Sequence, residues 1–145
     1  MNNVNAVAQE LSRALRKYGT SELSHSIGLF SSDKNKKADV RGDIAGRAFR
    51  VLMYEDSSEL TVSGHFTLNI NQERLSDDHM KFWNADNRFT KMYRQGTDAY
   101  LVMDAFLSRA NSNEIILSCA KIWDIAIKEL ARFKIGYDRR AAIPR

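Results

Sequence analysis

Apolar residues recur along the chain with two different spacings, and these spacings predict its secondary structure. Between residues 3 and 18 they fall three or four positions apart, which indicates a helix with one buried face. Asn2 or Asn3 can cap the start of this helix, and Gly19 stands where a glycine commonly ends one. Between residues 60 and 70 apolar and polar residues alternate with period two, which is typical of a strand with one face buried and the other in water.

Shorter patterns predict four more strands, arranged as two hairpins. Residues 40–44 and 47–54 are joined by the dipeptide Ala45-Gly46, which favours a tight turn. A second pair, 88–94 and 99–107, flanks a polar turn at 95–98. The strand at 99–107 is apolar on both faces, so we expect it inside the sheet rather than at its edge.

Two further helices and a loop complete the predicted elements. A short helix over 75–87 begins at Ser76 or Asp77, and a long apolar helix runs from about Asn111 to near Gly136. Residues 20–37 are rich in polar side chains and are interpreted as a loop, most clearly from Ser31 to Lys37.

These elements predict an α+β fold. The expected order is α-β-β-β-α-β-β-α, with an antiparallel sheet of about five strands and the helices packed on one of its faces. Residues 1–136 would form a single domain, and residues 137–145 a basic C-terminal tail.

The composition fits a compact, water-soluble protein. The chain has 145 residues, 43% of them hydrophobic, which is enough apolar material for a core. The single Cys119 excludes an internal disulfide and a cysteine-built zinc site. No apolar run has the ~20 residues of a membrane helix, and the N-terminus lacks the features of a signal peptide. We therefore expect a cytoplasmic protein that does not enter a membrane.

Charge is distributed unevenly along the chain, although its net value is only +4. Residues 34–50 and 121–145 each carry +4, whereas residues 51–87 carry −5. An acidic middle between two basic segments disfavours a nucleic-acid partner. A regulator that contacts nucleic acid through Lys34–Arg50 and the arginines of the C-terminal tail nevertheless stays open as an alternative.

The residues that usually carry catalysis or bind metals do not form a recognisable set. Cys119 falls within the apolar stripe of the last helix, where a buried and unreactive thiol is expected. His25, His65 and His79 are scattered over different elements, and the acidic pair before His79 suits a helix N-terminus better than a metal site. We therefore predict a non-enzymatic protein with no metal and no cofactor.

One constellation, the stretch Trp83-Asn84-Ala85-Asp86-Asn87-Arg88-Phe89, stands out at the junction of the short helix and the next strand. Its asparagines can cap the helix or close the turn, and Arg88 can pair with Asp86. Alternatively, Asn84, Asn87 and Arg88 contact a ligand or peptide, and a pocket beside Trp83 and Arg88 would make the protein a small-molecule sensor.

This stretch resembles the YbjN family of bacterial proteins, which are described as sensory transduction regulators. The resemblance rests on Trp83-Asn84, on Asn87-Arg88-Phe89, on the strand around 101–107 and on a long helix that contains Trp123. The hairpin at 41–51 also fits the family, so that the likeness covers about residues 4–134.

The resemblance implies both a fold and a function. The family's fold is similar to that of type III secretion chaperones, which bind extended segments of partner proteins and commonly dimerise. The implied function is a chaperone-like regulatory module that binds a partner protein and can form a homodimer. The expected binding residues are six: Trp83, Asn84, Asn87, Arg88, Phe89 and Trp123.

Overall fold

The computed structural model describes residues 4–28, 37–56, 61–107 and 112–142, and it confirms the α+β fold. Within these ranges three α-helices accompany one antiparallel sheet, and all five predicted strands are present in it. In chain order the elements are α1 (Val4–Lys17), β1 (Ser21–Gly28), β2 (Lys37–Ile44), β3 (Arg47–Asp56), β4 (Thr61–Asn69), a 3-10 turn (Asn71–Glu73), α2 (Asp77–Asp86), β5 (Lys91–Gln95), β6 (Asp98–Phe106) and α3 (Ser112–Ala141).

The strands lie side by side in the order β1-β2-β3-β4-β6-β5, and every neighbouring pair is antiparallel. The predicted turn between β2 and β3 has positive φ at both central residues, 52° at Ala45 and 78° at Gly46. Positive φ at both positions is the geometry of a type I′ hairpin turn, whose twist matches that of the strands. β6 is an interior strand, as its apolar sequence predicts.

The sheet contains a sixth strand, β1, in the segment that the sequence predicts to be a loop. β1 pairs with β2 from Ser21 opposite Asp43 to Gly28 opposite Lys37, with a register irregularity between Ser21 and Ser24. As an edge strand it is held by backbone hydrogen bonds to one neighbour and does not need an apolar stripe. Its polar sequence therefore gives no strand signal. The predicted loop from Ser31 lies outside the described residues, except that its last residue begins β2.

The core lies between one face of the sheet and helices α1 and α3. Alternate residues of β2, β3 and β4 point into it, and so do the apolar stripes of both helices. At its centre, the fully buried Trp123 ring contacts Phe49 and Phe66, with ring centroids 6.1 and 5.4 Å apart. Because the strands alternate, the residues between the buried ones form the opposite side of the sheet, here called the open face. No described helix covers this face.

The helix ends agree with the sequence in one case and differ in the other. α1 is followed by Gly19 at φ 93°, which confirms the prediction that this glycine ends the helix. The asparagines predicted to cap the start of α1 lie outside the described residues. The prediction that the last helix stops near Gly136 is wrong, because α3 continues to Ala141. Tyr137 packs on His79 at a centroid distance of 4.7 Å, and Asp138 hydrogen-bonds the same histidine. These contacts with α2 offset the poor helix propensity of glycine and make residues 137–141 part of the folded domain.

Candidate functional site

The predicted binding stretch begins on α2, whose N-terminus is fixed by a capping box. The Ser76 hydroxyl accepts a hydrogen bond from the His79 backbone N–H, and His79 Nδ1 accepts one from the Ser76 N–H at 2.9 Å. The other ring nitrogen, Nε2, lies 2.7 Å from Asp138 Oδ1 on α3. Two aspartates in the first turn, Asp77 and Asp78, suit the positive end of the helix dipole. α2 is therefore held at its start by its own cap and by α3.

Trp83 anchors the middle of α2 and is not available to a partner. Its side chain is almost completely buried, its ring meets Phe133 edge-on at 5.0 Å, and its Nε1 donates a hydrogen bond to Thr90 Oγ1 at 3.2 Å. A buried indole whose N–H has a partner is a typical core residue.

Asn84 ties α2 to the edge strand β5. Its Oδ1 accepts a hydrogen bond from the Met92 N–H at 2.6 Å, and its Nδ2 donates one to the Met92 carbonyl at 2.8 Å. One amide side chain thus supplies both bonds that a further strand would supply at this position. Free sheet edges invite unwanted strand pairing, so Asn84 both fixes the turn and covers this part of the edge.

Asn87 and Lys91 cap the C-terminal end of α2. The backbone N–H and the Nδ2 of Asn87 both donate to the Trp83 carbonyl, at 2.8 and 3.1 Å. Lys91 Nζ donates to the carbonyls of Asn84 and Asn87, at 2.7 and 2.6 Å. The ammonium group thereby occupies the negative end of the helix dipole. Asn84 and Asn87 thus have structural roles, and together with Lys91 they hold the turn after α2 in one conformation.

Arg88 and Phe89 lie at the tip of this fixed turn and project into solvent. The Phe89 side chain is 60% exposed, and the predicted pairing of Arg88 with Asp86 is not formed, since no acidic group of the described residues bonds Arg88. Beside them, Ile125 of α3 is 47% exposed. These residues surround a cavity of about 210 Å³, whose full lining is Asn87, Arg88, Phe89, Thr90, Ile122, Ile125, Ala126 and Glu129. We call Arg88, Phe89, Ile122 and Ile125 the Arg88–Phe89 patch.

Trp123, the sixth predicted binding residue, lies in the core and not in this patch. Sequence reasoning instead missed Ile122 and Ile125, which belong to the patch. The signal was present in the spacing: the apolar residues of α3 extend around more of the helix than a single buried stripe needs. Trp83 does not line the cavity beside Arg88.

Groups capable of chemistry are dispersed among the described residues. Burial raises the pKa of the Cys119 thiol, which disfavours the reactive thiolate. His65 lies on the open face with Nδ1 2.6 Å from Asp104 Oδ1. Across the described ranges no group of three or more His, Cys, Asp or Glu side chains is placed to hold a metal ion. In the same ranges no helix is both long and apolar enough to cross a membrane.

Comparison with known proteins gives no match: no family model fits the chain, and no curated protein or solved structure is significantly similar to it. The function is therefore inferred from the residues and their geometry.

Proposed function

We propose that this protein is a non-enzymatic interaction module that binds a partner protein through the Arg88–Phe89 patch. The observation that carries the proposal is the contrast within one short stretch. Trp83, Asn84 and Asn87 are fully used in holding the turn, whereas Arg88 and Phe89 are held out into water. An exposed phenylalanine on a rigid turn loses little conformational entropy on binding. Arginine and aromatic residues are also frequent at the energetic centres of interfaces.

The patch indicates the chemistry of the partner's contact segment. The cavity beside Phe89 is lined by apolar parts of Ile122, Ile125 and Ala126, and Arg88 and Glu129 stand at it with opposite charges. An apolar side chain of the partner would enter the cavity, and polar groups beside it would pair with Arg88 and Glu129. The resemblance to the YbjN family and to secretion chaperones supports the same class of function, because those chaperones bind segments of other proteins.

The proposal is tested with the full chain immobilised and challenged with extract, comparing variants of the patch with matched variants elsewhere. Phe89→Ser and Arg88→Glu should abolish the binding of a defined partner. Phe106→Ser should leave it intact, since Phe106 is 70% exposed but lies on the open face. Arg139→Glu, on the exposed end of α3, is the charge control. Equal capture by all four variants would contradict the proposal.

A further inference from the structure

The open face of the sheet contains a second and larger cavity, of about 670 Å³. This volume is within the range of about 300–1,000 Å³ that small-molecule sites occupy. Five adjacent strands contribute polar and aromatic side chains to its lining: Arg41 and Asp43 of β2, Arg50 of β3, Thr67 and Asn69 of β4, Tyr100 of β6, and Tyr93 and Gln95 of β5. The cavity shares no lining residue with the cavity of the Arg88–Phe89 patch, and ligand binding at the open face does not depend on the proposed function.

One side of the cavity carries two arginines that share a single carboxylate. Arg41 and Arg50 are directly opposite each other on β2 and β3, and the Nε of each donates to Asp39 at 3.0 Å. Asp39 is thus held between the two guanidinium groups, with a side chain that is only 15% exposed. The terminal Nη atoms of both arginines have no acceptor among the described residues. Such paired, oriented N–H groups fit the oxygens of a phosphate or carboxylate.

The other side of the cavity is an aromatic pair. Tyr93 on β5 and Tyr100 on β6 are directly opposite each other in the sheet. Their rings stack with a centroid distance of 5.6 Å and an angle of 30° between the ring planes. β6 lies two strands from β3, so the backbones that carry Tyr100 and Arg50 are separated by about 10 Å across the sheet. A flat ring of a ligand can stack on such a tyrosine.

Between the arginines and the tyrosines lie short polar side chains. Thr67 is the β4 partner of Arg50, and Asn69 is the β4 partner of Tyr100. Gln95 lies on β5 together with Tyr93 and lines the far side of the cavity. Asn69 Oδ1 accepts a hydrogen bond from the Asn71 N–H at 2.9 Å, so the group that Asn69 offers to a ligand is its Nδ2 donor. These groups offer hydroxyl and amide hydrogen bonds in the middle of the cavity, where a ligand linking an anionic end to a flat end would place its own hydroxyls.

We propose that this cavity binds a nucleoside monophosphate. The phosphate would accept hydrogen bonds from the Nη atoms of Arg41 and Arg50, the ribose would lie over Thr67 and Asn69, and the base would stack on Tyr100. Charge favours a mononucleotide over a nucleic acid chain. Arg41 and Arg50 are balanced by Asp39 and Asp43, so the phosphate is recognised by directed hydrogen bonds and not by a strong positive field. His65, the remaining titratable group of the lining, is engaged with Asp104.

The test is titration of the full chain with AMP, GMP, CMP and UMP separately, followed by NMR chemical shifts and calorimetry. At least one nucleotide should bind, and the corresponding nucleoside and inorganic phosphate should each bind at least about tenfold more weakly. Arg50→Gln should weaken the nucleotide at least about tenfold and leave nucleoside binding unchanged, whereas Tyr100→Leu should weaken both. Arg139→Gln is the control and should change neither.

Three outcomes would overturn the proposal. The first is no binding of any of the four nucleotides at about 1 mM. The second is inorganic phosphate binding as tightly as the nucleotide, which would indicate an adventitious anion site only. The third is a single-stranded oligonucleotide that binds more tightly than every mononucleotide, with an affinity that falls steeply with salt, since this would indicate a nucleic-acid surface.

Discussion

Replacing Asn84 by alanine should destabilise the protein more than its half-buried position at the end of α2 suggests. The substitution removes the hydrogen bonds at 2.6 and 2.8 Å that Asn84 makes with the Met92 N–H and carbonyl, while the bond from Lys91 to the Asn84 backbone carbonyl is retained. Met92 is only 3% exposed. Each lost bond costs about 1 kcal/mol net, and more where the backbone group left behind is shielded from water. We therefore expect the free energy of unfolding to fall by about 2–3 kcal/mol.

The assay is urea denaturation followed by tryptophan fluorescence, with the free energy extrapolated to water. At this chain length the expected loss corresponds to a decrease in Tm of about 5–10 °C. Asn84→Leu should lose a similar amount although it keeps the branched side-chain shape, which separates hydrogen bonding from the loss of side-chain atoms. Asn113→Ala, an exposed asparagine on α3, is the control and should change stability by less than about 0.5 kcal/mol. If Asn84→Ala behaved like this control, the structural role assigned to the motif would be refuted.

Three further predictions concern other parts of the fold. In Gly64→Ala the new Cβ would lie 2.6 Å from Leu107 Cδ1, so urea denaturation should show that the free energy of unfolding falls by about 1–3 kcal/mol. In Gly136→Ala the new Cβ meets nothing within 4 Å, so the free energy of unfolding should rise by about 0.5–1 kcal/mol. Equal effects of the two substitutions would contradict the packing around Gly64. Ending the chain after Gly136 removes the contacts of Tyr137 and Asp138 with α2 and should clearly lower the midpoint of thermal unfolding. A midpoint equal to that of the full chain would support the prediction that residues 137–145 form a tail. Burial raises the pKa of the Cys119 thiol above 9.0, so the folded state favours the neutral thiol. The stability of the wild type relative to Cys119→Ala should therefore fall as the pH rises past about 9. A stability difference that does not change with pH would refute this.

The sequence predicts best those elements whose side chains alternate in and out of water. In β4 every second position from 62 to 68 is buried, as the alternation indicates; these residues are Val62, Gly64, Phe66 and Leu68. The turn between β2 and β3 is indicated by Gly46, because glycine adopts positive φ without steric cost, whereas the positive φ of Ala45 has no signal in the sequence. These signals are local, and they survive in the fold because burial and turn geometry act on each residue separately.

What the sequence does not predict depends on partners distant along the chain. β1 is polar, and its strand conformation comes from pairing with β2. α3 passes Gly136 because Tyr137 and Asp138 meet α2, a contact between residues 59 positions apart in the case of His79 and Asp138. Asn84 is recognisable as part of a motif, but only the fold shows that its amide pairs with an edge strand.

The most direct test of the interaction module is site-specific photo-cross-linking in cells. A photoreactive phenylalanine analogue is placed at Phe89 in one variant and at Phe106 in another, since both side chains are exposed. We predict that the position of Phe89 yields a cross-link to one defined partner protein, that this cross-link disappears when Arg88→Glu is added, and that the position of Phe106 does not yield it. Equal cross-linking from both positions, or a cross-link at Phe89 only to a second copy of the chain, would contradict the proposed function.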